Sequence, residues 1–146
     1  MNVDEVEILL VEDNPGDAEL AIRALKKSKM ANNLVHVEDG LQAIKFLFGE
    51  EEYESRNIEN KPKVILLDLK MPKVNGIEVL QRIKSDDRTK KIPVVVLTSS
   101  KEDPDISACY ALGANSYIVK PVEFEDFIKV ATQIGLYWLL LNNPPQ

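Results

Sequence analysis

The sequence predicts an α/β fold in which a doubly wound, five-stranded parallel sheet carries helices on both faces. Short runs of aliphatic residues alternate along the chain with longer segments of helical period. Most of these runs are apolar at every position, which is typical of strands buried on both faces. Such strands, separated by helices, indicate a parallel sheet with right-handed crossover connections.

Each predicted strand is one of these aliphatic runs, and polar or turn-forming residues bound it. The strands are expected at residues 8–11, 34–37, 64–67, 94–97 and 117–119. The helices are expected at residues 16–29, 40–48, 76–84, 105–112 and 123–141. Residues that favour turns or helix starts lie near these boundaries, namely Pro15, Asp39, Asn75, Asp103 and Pro121. The charged segment 49–61 lacks a sustained apolar period and is expected to be a surface loop, with the second helix running into its start.

A chain of 146 residues has the usual size of one domain. We expect residues 1–146 to form a single domain, with its core at about 5–141, a tail at 142–146 and no effector domain. One cysteine and one histidine exclude an internal disulfide and a zinc cluster, which suits the cytoplasm. The net charge of −6 argues against a nucleic-acid partner, and no apolar run approaches the ~20 residues that span a membrane.

Chemically active side chains follow four of the five predicted strands. In a doubly wound sheet, ligands bind beyond the C-terminal ends of the strands, where the strand order reverses. The positions at or just after those ends hold Glu12, Asp13, Asp68, Thr98 and Lys120. The second strand offers nothing comparable, so we expect it at one side of the sheet and the other four strands as neighbours.

Three carboxylates at one edge repel each other unless they bind protons or a cation. Mg²⁺ prefers oxygen ligands and accepts one or two carboxylates together with carbonyl groups and water. An ammonium and a hydroxyl that face such a metal form a site for phosphoryl oxygens. Asp68 can serve as the nucleophile, assisted by Mg²⁺ and Lys120. These residues therefore predict phosphoryl transfer onto Asp68.

Four segments, "LLVEDNP", "VILLDLKMPKVNG", "VVVLTSS" and "YIVKP", resemble the signature motifs of the CheY-like response-regulator receiver domains of two-component signalling. The resemblance covers essentially the whole chain, and the motifs occur in the expected order and at the expected separations. It implies the strand order 2-1-3-4-5. It also implies a stand-alone response regulator rather than an enzyme. Such a protein accepts a phosphoryl group from a sensor histidine kinase and assists its own phosphorylation and dephosphorylation.

The resemblance implies roles for the residues of the predicted metal site. Asp68 resembles the phosphoacceptor aspartate of the family. Asp13 resembles the direct metal ligand, and Glu12 resembles the acid that holds metal-bound water. Lys70, two residues after the phosphoacceptor, would contribute its backbone carbonyl to the metal.

Other residues resemble those that contact the phosphoryl group or respond to it. Thr98 and Lys120 resemble the hydroxyl and the ammonium that contact it, and Tyr117 resembles the aromatic switch residue that turns inward when Thr98 moves. The acidic segment after the second predicted helix and the aromatic-aliphatic C-terminus are similar to small stand-alone receivers that pair with phytochrome-like kinases. A kinase of that kind is therefore the expected partner.

Three other functions are compatible with this fold class. Phosphohydrolases of the haloacid-dehalogenase type place a second aspartate two residues after the nucleophile, where this chain has Lys70. A flavin-binding module needs a phosphate loop after the first strand, where Glu12 and Asp13 would repel phosphate. A pseudo-receiver would bind partners without phosphorylation, and the complete set of acids, threonine and lysine argues against it.

The last predicted helix carries two apolar faces. One follows helical spacing and is expected to pack on the sheet. The other consists of Val130, Tyr137 and Leu141, and an exposed apolar patch of this kind usually marks an interaction site. The resemblance implies an output surface on the fourth helix, the fifth strand and the fifth helix. We therefore expect a homodimer through this face.

Overall fold

A computed structural model describes residues 8–27, 33–69, 71, 74–99, 103–120, 123, 125 and 127–129. Five strands and four α-helices alternate in this part of the chain. The strands are β1 (Ile8–Val11), β2 (Leu34–Val37), β3 (Val64–Leu67), β4 (Val94–Thr98) and β5 (Ser116–Val119). The helices are α1 (Pro15–Lys27), α2 (Gly40–Phe48), α3 (Gly76–Ser85) and α4 (Asp103–Ala111).

The five strands form one parallel sheet in the order β2-β1-β3-β4-β5, which confirms the predicted fold and strand order. β1 and β3 pair in a register that runs from Ile8 opposite Val64 to Val11 opposite Leu67. β2 lies at one side of the sheet, as predicted. Because the strands are parallel, they all end at the same edge of the sheet, called the C-terminal edge below.

The sheet separates two hydrophobic cores. In β1, Leu9 and Val11 pack with α2, α3 and α4, whereas Ile8 and Leu10 pack with α1 on the other face. The alternation follows from the pleat of the strand, which directs successive side chains to opposite faces. All four side chains are at most 2% exposed. The strand is therefore apolar at every position because both of its faces are covered.

The start of α1 lies one residue before the predicted start at residue 16. The Asn14 side chain accepts a hydrogen bond from the Asp17 backbone N–H at 3.0 Å and thereby caps the helix. Pro15 then occupies the first helical position, where the missing N–H of proline costs nothing. Residues 28 and 29, the predicted end of this helix, lie outside the described residues.

β1, β2, β3 and α2 have the predicted bounds, whereas the boundaries of α3, α4, β4 and β5 shift by one or two residues. α3 ends at Ser85, and α4 occupies Asp103–Ala111 instead of residues 105–112. β4 continues to Thr98, which lies opposite Val119 in the ladder with β5. β5 itself begins at Ser116, one residue before its aliphatic run. Backbone pairing between neighbouring strands thus extends both strands beyond the apolar pattern that predicted them.

The segment 49–61, predicted as a surface loop, has a defined structure. It contains a one-turn 3₁₀ helix at Glu51–Tyr53. Gly49 ends α2 in the left-handed region at φ 66°, a conformation that glycine adopts without strain. The Tyr53 ring packs edge-on against the Phe46 ring with 5.3 Å between centroids, and the Arg56 guanidinium lies 4.0 Å from the centre of the Phe46 ring. The prediction was incomplete because single aromatic contacts leave no periodic pattern.

The predicted fifth helix, residues 123–141, lies largely outside the described residues. Residues 125 and 127–129 are helical, and Phe127 packs in the core on the α1 face of the sheet. Four residues with predicted roles also lie outside the described residues, namely Lys70, Val130, Tyr137 and Leu141. Among the helices that the structure describes, none is both long and apolar enough to cross a membrane.

Candidate functional site

Three acids meet at the C-terminal edge of the sheet. β1 and β3 are neighbours in matched register, so Glu12 and Asp13, which follow β1, lie beside Asp68, which follows β3. The Asp68 backbone N–H donates to the Val11 carbonyl at 3.0 Å and continues the ladder beyond the strands. One carboxylate oxygen of each acid lies within 4.8 Å of those of the other two. The structure thus brings together the three carboxylates that the sequence analysis placed at one edge.

Lys120 follows β5 and reaches these acids. Its ammonium Nζ lies 2.5 Å from Glu12 Oε1 and 3.7 Å from Asp68 Oδ2, and its side chain is 13% exposed. Burial alone would lower the pKa of Lys120, but hydrogen bonds to the Glu12 and Asp17 carboxylates and the charge of Asp68 outweigh burial and raise the pKa. Lys120 is therefore a charged partner of the acids rather than a solvated surface lysine.

Glu12 is the most enclosed of the three acids, with 2% exposure. Its carboxylate accepts hydrogen bonds from Lys120 Nζ at 2.5 Å and from the Asn14 backbone N–H at 3.2 Å. Burial raises the pKa of Glu12 to about 7, with Lys120 opposing the rise and Asp68 adding to it. A carboxyl group with this pKa holds a proton part of the time near neutral pH. The ammonium of Lys120 offsets part of the negative charge of the cluster.

Thr98 and Tyr117, which are predicted to act together, lie on neighbouring strands. Thr98 ends β4 and is completely buried. Its carbonyl accepts a hydrogen bond from the Lys120 backbone N–H at 2.7 Å, which ties the end of β4 to Lys120. Tyr117 in β5 lies opposite Val96 and packs, partly buried, on the core beneath α2, α3 and α4. Both positions are compatible with the predicted switch, whose operation stays a prediction.

The backbone after Asp68 passes very close to the start of α3. The Gly76 N–H donates to the Leu69 carbonyl at 2.8 Å. A Cβ atom at Gly76 would lie 2.3 Å from the Asp68 carbonyl oxygen, so a larger residue would push this loop away from the site. Glycine at position 76 therefore allows the start of α3 to pack directly against the backbone of Asp68. Lys70, whose carbonyl is predicted to bind the metal, belongs to the same loop but lies outside the described residues.

Sequence reasoning missed two contacts of the site. Asp17, on the first turn of α1, has its Oδ2 at 2.9 Å from Lys120 Nζ. His36 of β2 has its Nε2 at 2.8 Å from the Glu12 carbonyl oxygen, and the carbonyl can only accept this hydrogen bond. Asp17 could have been found by including the helical turn that follows the first strand. His36 offers no such pattern, because it is an isolated polar residue in a strand.

The donor set of this edge suits a small divalent cation beside a phosphoryl-accepting group. All three candidate ligands are carboxylate oxygens, the type that hard divalent cations prefer. Asp13 is exposed, whereas Glu12 and Asp68 are buried, so a cation could approach from the side of Asp13. The ammonium of Lys120 adds positive charge next to the carboxylate of Asp68. The residues present therefore fit a divalent metal ion.

Comparison with known proteins places this chain in a family. Residues 8–132 match the family described as "Response regulator receiver domain". The response regulator Rcp1 of Synechocystis sp. is 42% identical over 132 residues, which cover 90% of this chain and 88% of Rcp1. A probable methanogenesis regulatory protein of Methanothrix harundinacea, FilR2, is 41% identical over 138 residues, which cover 94% of this chain and 86% of FilR2.

Two solved structures share the fold as well as the sequence. The phosphorylated cyanobacterial phytochrome response regulator RcpA is 41% identical, with a TM-score of 0.82 over 92% of this chain and 94% of that chain. The Mn²⁺-bound form of Rcp1 is 42% identical, with a TM-score of 0.81 over the same shares of the two chains. Proteins of this kind are signalling proteins and are generally not classed as enzymes. The chain therefore belongs to the response-regulator receiver domains of two-component signalling.

Proposed function

We propose that this chain accepts a phosphoryl group on Asp68 from a sensor histidine kinase, with Mg²⁺ as cofactor, and that it acts in the cytoplasm. The observation that carries the proposal is the setting of Asp68, which is 6% exposed, shares a cluster with Glu12 and Asp13, and lies 3.7 Å from Lys120 Nζ. The phosphorylated form of the relative RcpA supports it. We also propose that residues 1–146 form a single domain with its core at about 5–141.

The proposed step is a displacement at phosphorus. A carboxylate oxygen of Asp68 attacks the phosphorus of a phosphohistidine, and a P–O bond forms as the P–N bond breaks. The bonding electron pair leaves with the imidazole nitrogen, so the products are an aspartyl phosphate and free histidine. The ammonium of Lys120 and the hydroxyl of Thr98 would donate hydrogen bonds to the transferred oxygens and offset their charge.

We propose that Glu12, Asp13 and Asp68 hold Mg²⁺, together with the backbone carbonyl of Lys70. When bound, the ion would neutralise charge on the phosphoryl oxygens. The three clustered carboxylates and the Mn²⁺-bound structure of Rcp1 support a divalent cation at this position. Asp13 is proposed as the direct ligand because it faces solvent, and Glu12, buried beside Lys120, as the acid that holds metal-bound water.

Mg²⁺ is expected to raise the thermal unfolding midpoint, because it binds the folded state and relieves repulsion among the acids. At 100 times its dissociation constant, an ion stabilises the folded state by about 2.7 kcal/mol. The variant Asp13→Asn should unfold at a higher temperature than wild type in EDTA and lose most of the response to Mg²⁺. Circular dichroism melts of both proteins in EDTA and in Mg²⁺ measure this.

The matched control is Asp87→Asn, which removes a carboxylate whose side chain is 91% exposed and which pairs with Lys90 rather than with the site. It should respond to Mg²⁺ as wild type does. An Asp13→Asn protein that unfolds well below wild type in EDTA would contradict the electrostatic account of the cluster.

The proposed kinase partner is a phytochrome-like sensor histidine kinase. The name of RcpA, a phytochrome response regulator, supports this choice. Phosphotransfer from a panel of histidine kinases of the same organism tests it, and we expect the fastest transfer from a phytochrome-like kinase. Faster transfer from another kinase would change the partner and leave phosphorylation of Asp68 in place. Failure of every kinase and of acetyl phosphate to label the protein would overturn the proposed function.

We propose that the output surface comprises α4, β5 and the helix that follows, with Val130, Tyr137 and Leu141 in a homodimer contact. Tyr110 on α4 is 50% exposed and would belong to this surface. Thr98 at the end of β4 and Tyr117 in β5 would connect the phosphorylated site to this surface.

Sedimentation velocity at micromolar concentration tests the dimer. Wild type should sediment as a dimer, and the double variant Val130→Glu/Tyr137→Glu should sediment as a monomer, because burying two carboxylates without partners is costly. The control Lys91→Glu changes an exposed residue before β4 and should remain dimeric. A wild type that is monomeric with and without a beryllofluoride phosphoryl mimic would remove the dimer from the proposal.

A further inference from the structure

The ammonium of Lys120 contacts an acid that has no part in the proposed reaction. Oδ2 of Asp17 lies 2.9 Å from Lys120 Nζ, whereas Oδ2 of Asp68 lies 3.7 Å away. Asp17 does not belong to the cluster of three carboxylates that could hold a metal ion. Its side chain is 42% exposed, so water can solvate its charge and burial does not require a cation there. Its contact with Lys120 therefore needs another explanation.

The ammonium of Lys120 lies closer to some of the surrounding carboxylates than to others. An ammonium group has three N–H donors. Glu12 at 2.5 Å and Asp17 at 2.9 Å are within hydrogen-bond distance of Nζ, but Asp68 is not. The ammonium is thus directed toward β1 and α1 rather than toward the proposed acceptor. In the proposed phosphorylated form, this ammonium would donate hydrogen bonds to the oxygens of the phosphoryl group on Asp68.

We propose that Asp17 is a positioning residue that retains the Lys120 ammonium on the α1 side of the site and competes with the phosphoryl group for it. The inference rests on the proposed phosphorylation of Asp68. Glu12 also holds Lys120, but Glu12 belongs to the acid cluster, and a cation bound there would offset its charge. Asp17 lies outside that cluster and keeps its attraction for Lys120 when the metal is bound. Asp17 therefore slows phosphorylation, the opposite of the effect of the other acids.

The start of α1 holds Asp17 in place independently of its charge. The Asp17 backbone N–H donates to the Asn14 side chain at 3.0 Å, and the Ala18 N–H donates to the Asn14 carbonyl at 2.9 Å. Neither hydrogen bond uses the Asp17 carboxylate. Asp17→Asn therefore removes the negative charge while it preserves the size of the side chain and the backbone of the helical turn.

The experiment measures the rate constant of phosphorylation by acetyl phosphate in Mg²⁺, read by intact-mass spectrometry of quenched samples. We expect Asp17→Asn to react about two- to five-fold faster than wild type, which is the range for loss of a partly exposed ion pair. The control Glu19→Gln removes the same charge from an exposed position on the same helix, outside the contacts of Lys120. It should react at the wild-type rate, which separates competition for Lys120 from general attraction of the anionic donor.

A second measurement distinguishes this role from a purely structural one. Side-chain NMR of Lys120 should show a lower pKa in Asp17→Asn than in wild type, because a carboxylate hydrogen bond that raises the pKa is lost. In Glu19→Gln the pKa of Lys120 should be unchanged. Asp17→Ser provides a second variant with the same expected acceleration.

The outcomes separate this inference from the function on which it rests. A wild type that is phosphorylated, with Asp17→Asn reacting at an equal or lower rate, overturns the role of Asp17 alone. Equal acceleration in Glu19→Gln also overturns it, because overall charge would then explain the rate. A wild type that is never phosphorylated overturns the proposed function itself.

Discussion

Replacing Asp68 with asparagine is expected to abolish labelling by acetyl phosphate, whereas wild type should take up one phosphoryl group in the presence of Mg²⁺. The carboxylate of Asp68 supplies the attacking oxygen, and acetate leaves with the electron pair of the broken P–O bond. The neutral amide of asparagine is a far weaker nucleophile at oxygen. Intact-mass spectrometry of both proteins measures the difference, and EDTA should prevent labelling of wild type.

Asp87→Asn is the matched control for this substitution. Asp87 is also an aspartate, but its exposed carboxylate forms an ion pair with Lys90 at 2.7 Å in the connection after α3. The control should be labelled as wild type is. Equal labelling of Asp68→Asn and wild type would assign the phosphoryl group to another residue. A thermal melt of Asp68→Asn confirms that loss of labelling does not reflect unfolding.

Replacing Lys120 with methionine is expected to reduce both the rate of phosphorylation and the stability. Removal of one group that stabilises transition-state charge commonly costs about 10²- to 10³-fold in rate. In EDTA the variant should also lose about 3 kcal/mol, because a buried carboxylate loses its cation. Glu12 and Asp68, at 2% and 6% exposure, are the carboxylates concerned. Acetyl phosphate kinetics and urea unfolding measure the two effects.

The stability loss of Lys120→Met should be larger at higher pH. The pKa of Glu12 is raised from 4.5 to about 7, so the folded state favours the protonated carboxyl and loses stability as pH rises through this range. Without Lys120, the pKa of Glu12 rises further. The free energy of unfolding of the variant therefore continues to fall at higher pH than that of wild type. Urea unfolding of wild type and Lys120→Met in EDTA at about pH 6 and about pH 8 measures whether the stability loss grows with pH.

The control for this prediction is Lys90→Met, which breaks the exposed ion pair with Asp87. It should unfold at nearly the same urea concentration as wild type at both pH values, since solvent screens such pairs. If Lys120→Met were as stable as wild type at about pH 8 in EDTA, the ammonium would not be the group that stabilises the buried carboxylates.

The regular part of the fold was predictable because a strand that is buried on both faces needs apolar residues at nearly every position. β1, β2 and β3 occupy the predicted residues. In β1 and β3 an uninterrupted aliphatic run of this length forms a strand covered on both sides. Helix ends were less predictable, because they depend on single capping contacts such as that of Asn14 with the Asp17 N–H. The packing of segment 49–61 depends on the rings of Phe46 and Tyr53 and has no periodic signal.

The sequence by itself determined which residues stand at the ends of the strands, because a parallel sheet brings those ends to one edge whatever the side-chain details. The sequence alone therefore assigns Glu12, Asp13 and Asp68 to one site. Only the tertiary structure decided where the ammonium of Lys120 lies among the acids. Its contact with Asp17 joins residues 103 positions apart and depends on the reach of two side chains across the sheet, which local patterns do not encode. The hydrogen bond from His36 to the Glu12 carbonyl arises in the same way, from the pairing of β1 with β2.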